Sequence, residues 1–96
     1  MKVRYSRRAL AELDTILSDF SRISPAAAAR FEGRIAQIED RLGRFPEAFQ
    51  EVEQRRGVRR IPFLRFPYLL FYKIIADEVV VLRVIHGARK EPWEEL

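Results

Sequence analysis

The apolar positions of this chain first recur at helical spacing and later at the spacing of strands. Residues 2–5 predict a short first strand. Ser6 follows as a candidate N-cap, and the next apolar residues lie three and four positions apart, which predicts an amphipathic helix ending near Arg22. The apolar side chains of this helix are Leu10, Leu13, Ile16, Leu17 and Phe20.

A second helix is predicted to begin directly after the first. Ser24 is a candidate N-cap, and Pro25 suits the first helical position, where no N–H partner is lost. The apolar face of this helix consists of Phe31, Ile35, Ile38 and Leu42. Gly43 is expected at the C′ position beyond the helix end. Helices joined so tightly must turn back on each other as a helical hairpin.

The second half of the chain predicts three strands after an irregular connection that contains Pro46 and Gly57. The strands are expected at 58–63, 68–75 and 79–85, with a hairpin turn at 76–78. The element order is therefore β-α-α-β-β-β, in one α+β domain spanning residues 1–96. Three consecutive strands favour an antiparallel meander. The helical hairpin should cover one face of this mainly antiparallel sheet, and arginines should lie along the other face or its rim.

Composition narrows the class of protein. Ninety-six residues, about half of them apolar, allow one small domain with a modest core. The absence of cysteine excludes a disulfide framework, a thiolate zinc site and a cysteine nucleophile. We see no secretory signal and no apolar run long enough to span a bilayer, so the expectation is a soluble cytoplasmic protein without membrane partners.

The positive charge is concentrated in one segment. The net charge is +4. Residues 54–73 contain six cations and no acid, whereas residues 24–53 contain four arginines and six acids. Such a segment indicates an anionic partner surface, either nucleic acid or an acidic protein segment.

Two stretches are similar to a known group of proteins. The sequences "GVRRIPFLRFPYLLFYK" at 57–73 and "VLRVIHGAR" at 81–89 resemble the RelE/ParE toxin superfamily of type II toxin–antitoxin systems, and the ParE branch more than the RelE branch. The resemblance extends from Val3 to about Trp93. It implies a toxin that is neutralised by a cognate ParD-like antitoxin. Systems of this type include plasmid-stabilising modules. ParE-like members inhibit DNA gyrase, whereas RelE-like members cut messenger RNA on the ribosome.

The RelE alternative requires a metal-free nuclease site. Such a site needs a base, a cation for the developing phosphate charge and an acid for the leaving oxygen. Candidate bases are Glu47, Glu51 and Glu53; the cations and acid would be Arg59, Arg65, Arg83 and His86. RelE-like nucleases usually place a tyrosine near the last strand, but here Gly87 follows His86 and the last tyrosine is Tyr72. No catalytic residue is therefore favoured.

His86 also has a structural interpretation. A lone histidine at a strand end is more often a hydrogen-bonded structural or surface residue than a catalyst. Gly87 suits a tight exit from the strand, where φ is expected to be positive. His86 would then bond a backbone group at that turn.

Two sets of residues are candidates for partner binding. The antitoxin-binding set is Arg55, Arg56, Arg59, Arg60, Arg65, Tyr68 and Tyr72. The target-binding set is Arg89, Lys90, Trp93 and Leu96. Each set also has a structural interpretation. The arginines could form a solvated edge that discourages aggregation, and the aromatic residues could belong to the core. Trp93 could be an anchor that folds the tail onto the sheet. The mixed charges of the two helices indicate an ordinary solvated surface.

No phosphate loop, dinucleotide fingerprint, zinc spacing or nucleophile elbow occurs in the sequence, so neither a cofactor nor a metal is expected. Three hypotheses follow. The first is a gyrase inhibitor that meets DNA only through gyrase or through the antitoxin complex. The second is a ribosome-dependent endoribonuclease. The third is an inert remnant that binds an antitoxin but has lost its target.

Overall fold

Seven elements follow one another in the computed structural model, which describes residues 1–96 without a gap. They are β1 (Lys2–Tyr5), α1 (Arg7–Ile23), α2 (Pro25–Arg44), β2 (Val58–Pro62), β3 (Tyr68–Ile75), β4 (Glu78–His86) and a terminal 3-10 helix (Pro92–Glu95). The α+β class and the order β-α-α-β-β-β are confirmed. The terminal 3-10 helix was not predicted.

Serine side chains begin both helices, as predicted. The Ser6 hydroxyl accepts the N–H of Ala9 at 3.0 Å, and the Ser24 hydroxyl accepts the N–H of Ala27 at 3.0 Å. Ser24 also ends α1, because its own N–H donates to the Phe20 carbonyl at 3.0 Å. A single residue therefore separates the helices and forces the hairpin. Neither helix has the length and apolarity needed to cross a membrane.

The prediction that Gly43 lies beyond the end of α2 is wrong. The helix continues to Arg44, and the N–H of Phe45 donates to the Arg41 carbonyl at 2.8 Å. The N-terminal ammonium of Met1 donates to the Gly43 carbonyl at 2.7 Å. A Cβ at position 43 would lie only 3.1 Å from the Met1 carbonyl oxygen. Gly43 thus permits the close approach of β1 to α2.

The four strands form one mixed sheet in the order β1-β4-β3-β2. β2, β3 and β4 make the predicted antiparallel meander, and β1 pairs with β4 in parallel. Ala76 and Asp77 connect β3 to β4 with φ of 48° and 63°. Two successive positive φ values are typical of the tight hairpin turn that matches strand twist. The turn is one residue shorter than predicted because Glu78 already belongs to β4.

Apolar side chains pack on both faces of the sheet. The main core lies beneath the helical hairpin and joins residues of both helices, including Phe31 and Ile38, to residues of the strands, including Leu70 and Val81. A smaller cluster occupies the opposite face. Its members are Val52, Val58, Phe71 and Ile85, with Leu69, Leu82, Trp93 and Leu96 packed against them. The second face is therefore partly covered by the C-terminal segment.

Candidate functional site

His86 ends β4 at an exposed position, and its ring is held by two neighbours. Its Nδ1 accepts the N–H of Ala88 at 3.1 Å, and Tyr68 meets it edge to face with 5.4 Å between ring centroids. The predicted bond from His86 to a backbone group is confirmed. The predicted positive φ at Gly87 is wrong. The Gly87 N–H donates to the Pro67 carbonyl at 2.7 Å, which extends the β3–β4 pairing by one residue.

The cleft beside His86 lacks the three arginines that were expected to act with it in a nuclease site. It has a volume of about 390 Å³ and lies between α1 and the end of β4. Tyr68, Arg8, Glu12 and Arg89 line it together with His86. None of the three expected arginines lines it: these are Arg59, Arg65 and Arg83. No group of three histidine or carboxylate side chains converges to suggest a metal site.

Arg83 is buried and committed to structural contacts. Its residue is 4% exposed, and its Nε and Nη2 donate to the Glu12 carboxylate at 2.9 and 2.6 Å. Its Nη1 donates to the Glu95 carbonyl at 2.6 Å. The hydrogen bond to Glu12 raises the pKa of Arg83 despite the opposing effect of burial. Arg83 therefore joins α1, β4 and the C-terminal segment, and each of its three guanidinium nitrogens donates a hydrogen bond within the chain.

Glu12 also binds the backbone of β4 where that strand has no neighbouring strand on one side. Its Oε1 accepts the N–H of Val84 at 2.9 Å, beyond the point where β1 stops pairing with β4. Ser6 acts similarly nearby, because its hydroxyl donates to the Leu82 carbonyl at 2.8 Å. Side chains of α1 and its cap thus replace a missing strand neighbour.

Two arginines of the predicted antitoxin-binding set hold the chain to itself. Arg59 Nη1 donates to the carbonyls of Glu47 and Phe49 at 3.1 and 2.7 Å, which fixes the connection between α2 and β2. Arg55 Nε donates to the Trp93 carbonyl at 2.9 Å and fixes the C-terminal segment. These contacts use donors that sequence reasoning assigned to a partner.

The remaining arginines of this set do not form one surface. Arg60 lines a groove of about 260 Å³ on the sheet face opposite the helices, together with Phe71 and Trp93. Glu51 and Glu53 line the same groove, so acids stand beside this cation. Arg56 is exposed, whereas Arg65 lies in the connection between β2 and β3.

The two tyrosines of the set are four positions apart on β3, so they have the same strand parity and share its helix-facing side, but they differ in exposure. Tyr72 is 0% exposed, and its hydroxyl donates to the Pro46 carbonyl at 2.6 Å. Burial raises the pKa of Tyr72 to about 12, with Arg59 acting in the opposite direction. Tyr72 is therefore a core residue and offers no surface to a partner. Tyr68 is half-buried and packs against Phe31.

The predicted target-binding residues belong to a folded C-terminal segment. Trp93 and Leu96 pack on the small cluster of the sheet, so the expected packing anchor is confirmed. Arg89 pairs with the Glu95 carboxylate, and the hydrogen bond from Arg89 lowers the pKa of Glu95. Lys90 is exposed. Contact of these residues with a target stays a prediction.

Sequence reasoning missed a second cluster of arginines, which we call the arginine groove. This cavity of about 750 Å³ lies between the helices and the β2–β3 connection. Its cations are Arg30, Arg34 and Arg65, and its apolar walls include Phe20, Leu64 and Phe66. Arg30 and Arg34 are four positions apart on α2, where the mixed charges predict an ordinary solvated surface.

Comparisons of the sequence with known proteins indicate one family. Residues 3–91 match the family model described as the ParE toxin of the type II toxin–antitoxin system parDE. The chain is 32% identical over 91 residues to the putative toxin Y4kP of Sinorhizobium fredii, covering 95% of this chain and 93% of that protein.

Solved structures share the fold. The chromosomal ParDE system from P. aeruginosa superposes with a TM-score of 0.77 at 23% identity, covering 90% of this chain and 95% of that one. The isolated E. coli RelE toxin superposes with a TM-score of 0.55 at 17% identity, covering 98% and 92%. With the family model matched across most of its length, the chain belongs to the ParE toxin family of type II toxin–antitoxin systems.

Proposed function

We propose that this protein inhibits DNA gyrase through protein–protein contact and is neutralised by a cognate antitoxin. The match to the ParE family over residues 3–91 carries the proposal, because gyrase inhibition is the activity implied by resemblance to that branch. The proposal needs no catalytic residue. It assigns contact with the target to Arg89, Lys90, Trp93 and Leu96, which lie at the C-terminal segment.

The dispersed nuclease candidates support a non-catalytic mechanism. Arg83 is buried and held by Glu12, and Arg59 is held by backbone carbonyls, so both already make contacts within the chain. His86 already uses Nδ1 as an acceptor and shares its cleft with none of these cations. The likeness to RelE at 17% identity concerns the fold alone. We therefore rank ribosome-dependent cleavage below gyrase inhibition.

Expression in growing cells separates the three hypotheses. We expect induction of the wild-type chain to stop growth, and His86→Ala to stop it equally well, because His86 makes only one local hydrogen bond. The matched control is Arg44→Ala, an exposed arginine paired with Asp40 on α2. Loss of toxicity in a folded His86→Ala variant alone would support the nuclease. Unimpaired growth with the soluble wild-type chain would support an inert remnant.

A further inference from the structure

The C-terminal segment, residues 88–96, is attached to the sheet by side chains rather than by strand pairing. Arg83 Nη1 donates to the Glu95 carbonyl at 2.6 Å, and Arg55 Nε donates to the Trp93 carbonyl at 2.9 Å. Where backbone N–H groups of the segment donate hydrogen bonds, the acceptors lie at the end of β4 or within the segment itself. The segment can therefore leave the sheet without breaking any strand pairing.

Contacts within the segment give it a structure of its own. Residues Pro92–Glu95 form the 3-10 helix, and the Glu94 N–H donates to the Glu91 carbonyl at 3.1 Å. The Arg89 guanidinium pairs with the Glu95 carboxylate. Both partners of each contact belong to the segment, so these contacts persist when it moves away from the sheet. We therefore expect the segment to move as one unit.

Departure of the segment leaves the main core and the buried charge in place. The core cluster beneath the helical hairpin contains no residue of the segment. Arg83 gives up its bond to the Glu95 carbonyl, but its Nε and Nη2 still donate to the Glu12 carboxylate at 2.9 and 2.6 Å. A buried charge without a partner would oppose opening strongly, and Glu12 prevents this. Opening therefore requires less free energy than unfolding of the whole domain.

Backbone strain also opposes the attached position of the segment. Glu91, the residue that precedes the 3-10 helix, has a φ of 50° in the left-handed region. This conformation is disfavoured for any residue with a side chain, and it persists only where surrounding contacts impose it. Release of the segment removes that constraint and lets Glu91 adopt an ordinary backbone conformation.

The attached segment hides the apolar side chains assigned to target contact. Trp93 and Leu96 are half-buried, because they pack on the small cluster that contains Phe71 and Ile85. A tryptophan contributes most to an interface when the partner covers it fully. The surface of Trp93 that touches the cluster becomes available to a partner only after the segment has moved.

We propose that the C-terminal segment is autoinhibitory: it covers the second face of the sheet in the free protein and opens as a unit. In the open state, Trp93 and Leu96 are free to enter an apolar surface of the target protein, and Phe71 becomes exposed on the sheet. The target binds only the open state, so the small open population limits its apparent affinity. The identity of the target as gyrase rests on the proposed function, whereas the opening does not.

Cysteine labelling measures the opening, because the chain contains no cysteine of its own. Ile85→Cys places a thiol in the cluster beneath the segment, and Val81→Cys places one in the main core; the native residues are 2% and 0% exposed. We expect a thiol reagent to label Ile85→Cys about tenfold faster or more, since opening needs less free energy than unfolding. Urea should accelerate the labelling of Val81→Cys more steeply, because unfolding exposes more surface.

Further variants connect the labelling rate to the segment. Arg55→Gln removes the hydrogen bond to the Trp93 carbonyl and should raise the labelling rate of Ile85→Cys about fivefold. Arg56→Gln, at the neighbouring exposed arginine without a recorded partner, should change that rate by less than about twofold. Val58→Cys is a second reporter in the same cluster, with a smaller change in volume, and should respond in the same way.

Inhibition of gyrase tests the role of the opening. Arg55→Gln should inhibit supercoiling at a concentration about fivefold lower than the wild-type chain, in proportion to its larger open population. Circular dichroism of each variant confirms that the helices and the sheet remain folded.

Three results would overturn the proposal: equal labelling rates for Ile85→Cys and Val81→Cys, equal effects of Arg55→Gln and Arg56→Gln, or no gain in inhibition by Arg55→Gln. The labelling reaction contains no gyrase. If the wild-type chain inhibits gyrase but the segment does not open, only this inference fails. If the segment opens as expected but gyrase is unaffected by the wild-type chain, only the proposed target fails.

Discussion

Replacement of Glu12 by alanine should destabilise the fold more than any surface substitution, because Glu12 neutralises the buried Arg83. The Arg83 and Glu12 side chains are 5% and 21% exposed, and their charged atoms lie 2.6 Å apart. Removing one partner of a buried ion pair costs about 3–5 kcal/mol. Glu95 remains 3.7 Å from Arg83 Nη2 and water reaches part of Glu12, so we expect a loss of about 2–4 kcal/mol.

The assay is urea unfolding followed by circular dichroism. The midpoint should fall without a change in the denaturant slope, and the Tm should fall by about 10–25 °C for a domain of this size. Asp14→Ala, an exposed acid of the same helix without a recorded partner, should change stability by less than about 0.5 kcal/mol.

A double variant isolates the buried charge as the cause. Glu12→Ala combined with Arg83→Met removes both charges, and it should be less destabilised than the two single changes summed. The reasoning would be refuted if Glu12→Ala behaved like Asp14→Ala. It would also be refuted if the double variant lost the full sum, because the two side chains would then act independently.

Two further predictions concern hydrogen bonds and pH. Tyr72→Phe should lower the free energy of unfolding by about 1 kcal/mol, because the Pro46 carbonyl loses its donor. Tyr68→Phe, whose hydroxyl has no recorded partner, is the control, and equal urea midpoints for the two variants would contradict the assignment. Because Arg89 lowers the pKa of Glu95, Glu95 stabilises the fold above its ordinary pKa of 4.5, and this contribution is lost as the pH falls below that value. Arg89→Gln should weaken that acid dependence; identical profiles of urea midpoint against pH would show that the pair contributes nothing.

Local patterns predicted most of the fold. The helical spacing of apolar residues, together with the caps at Ser6 and Ser24, depends on neighbours within a few positions, so sequence alone located both helices. Strand-like runs and the short turn after Ile75 located the meander. The end of α2 was placed too early because Gly43 was interpreted by its backbone preference, whereas the approach of Met1 accounts for it.

Contacts between residues that are far apart in the chain could not be predicted from the sequence pattern. Glu12 and Arg83 are separated by 71 positions, and nothing in the periodicity of either element pairs them. Parity placed Tyr68 and Tyr72 on one face of β3 but did not say that the helices cover this face. The arginine groove likewise forms only when α2 meets the β2–β3 connection, so Arg30 and Arg34 looked like ordinary helix surface.

Gyrase inhibition is tested most directly with the purified, antitoxin-free protein in two parallel reactions. One reaction contains gyrase, relaxed plasmid and ATP; the other contains a translating extract with labelled messenger RNA. We predict lost supercoiling or trapped, cleaved plasmid in the first and intact message in the second. Codon-spaced cuts in the message with normal supercoiling would contradict the proposed function and return His86 to consideration as a catalytic acid.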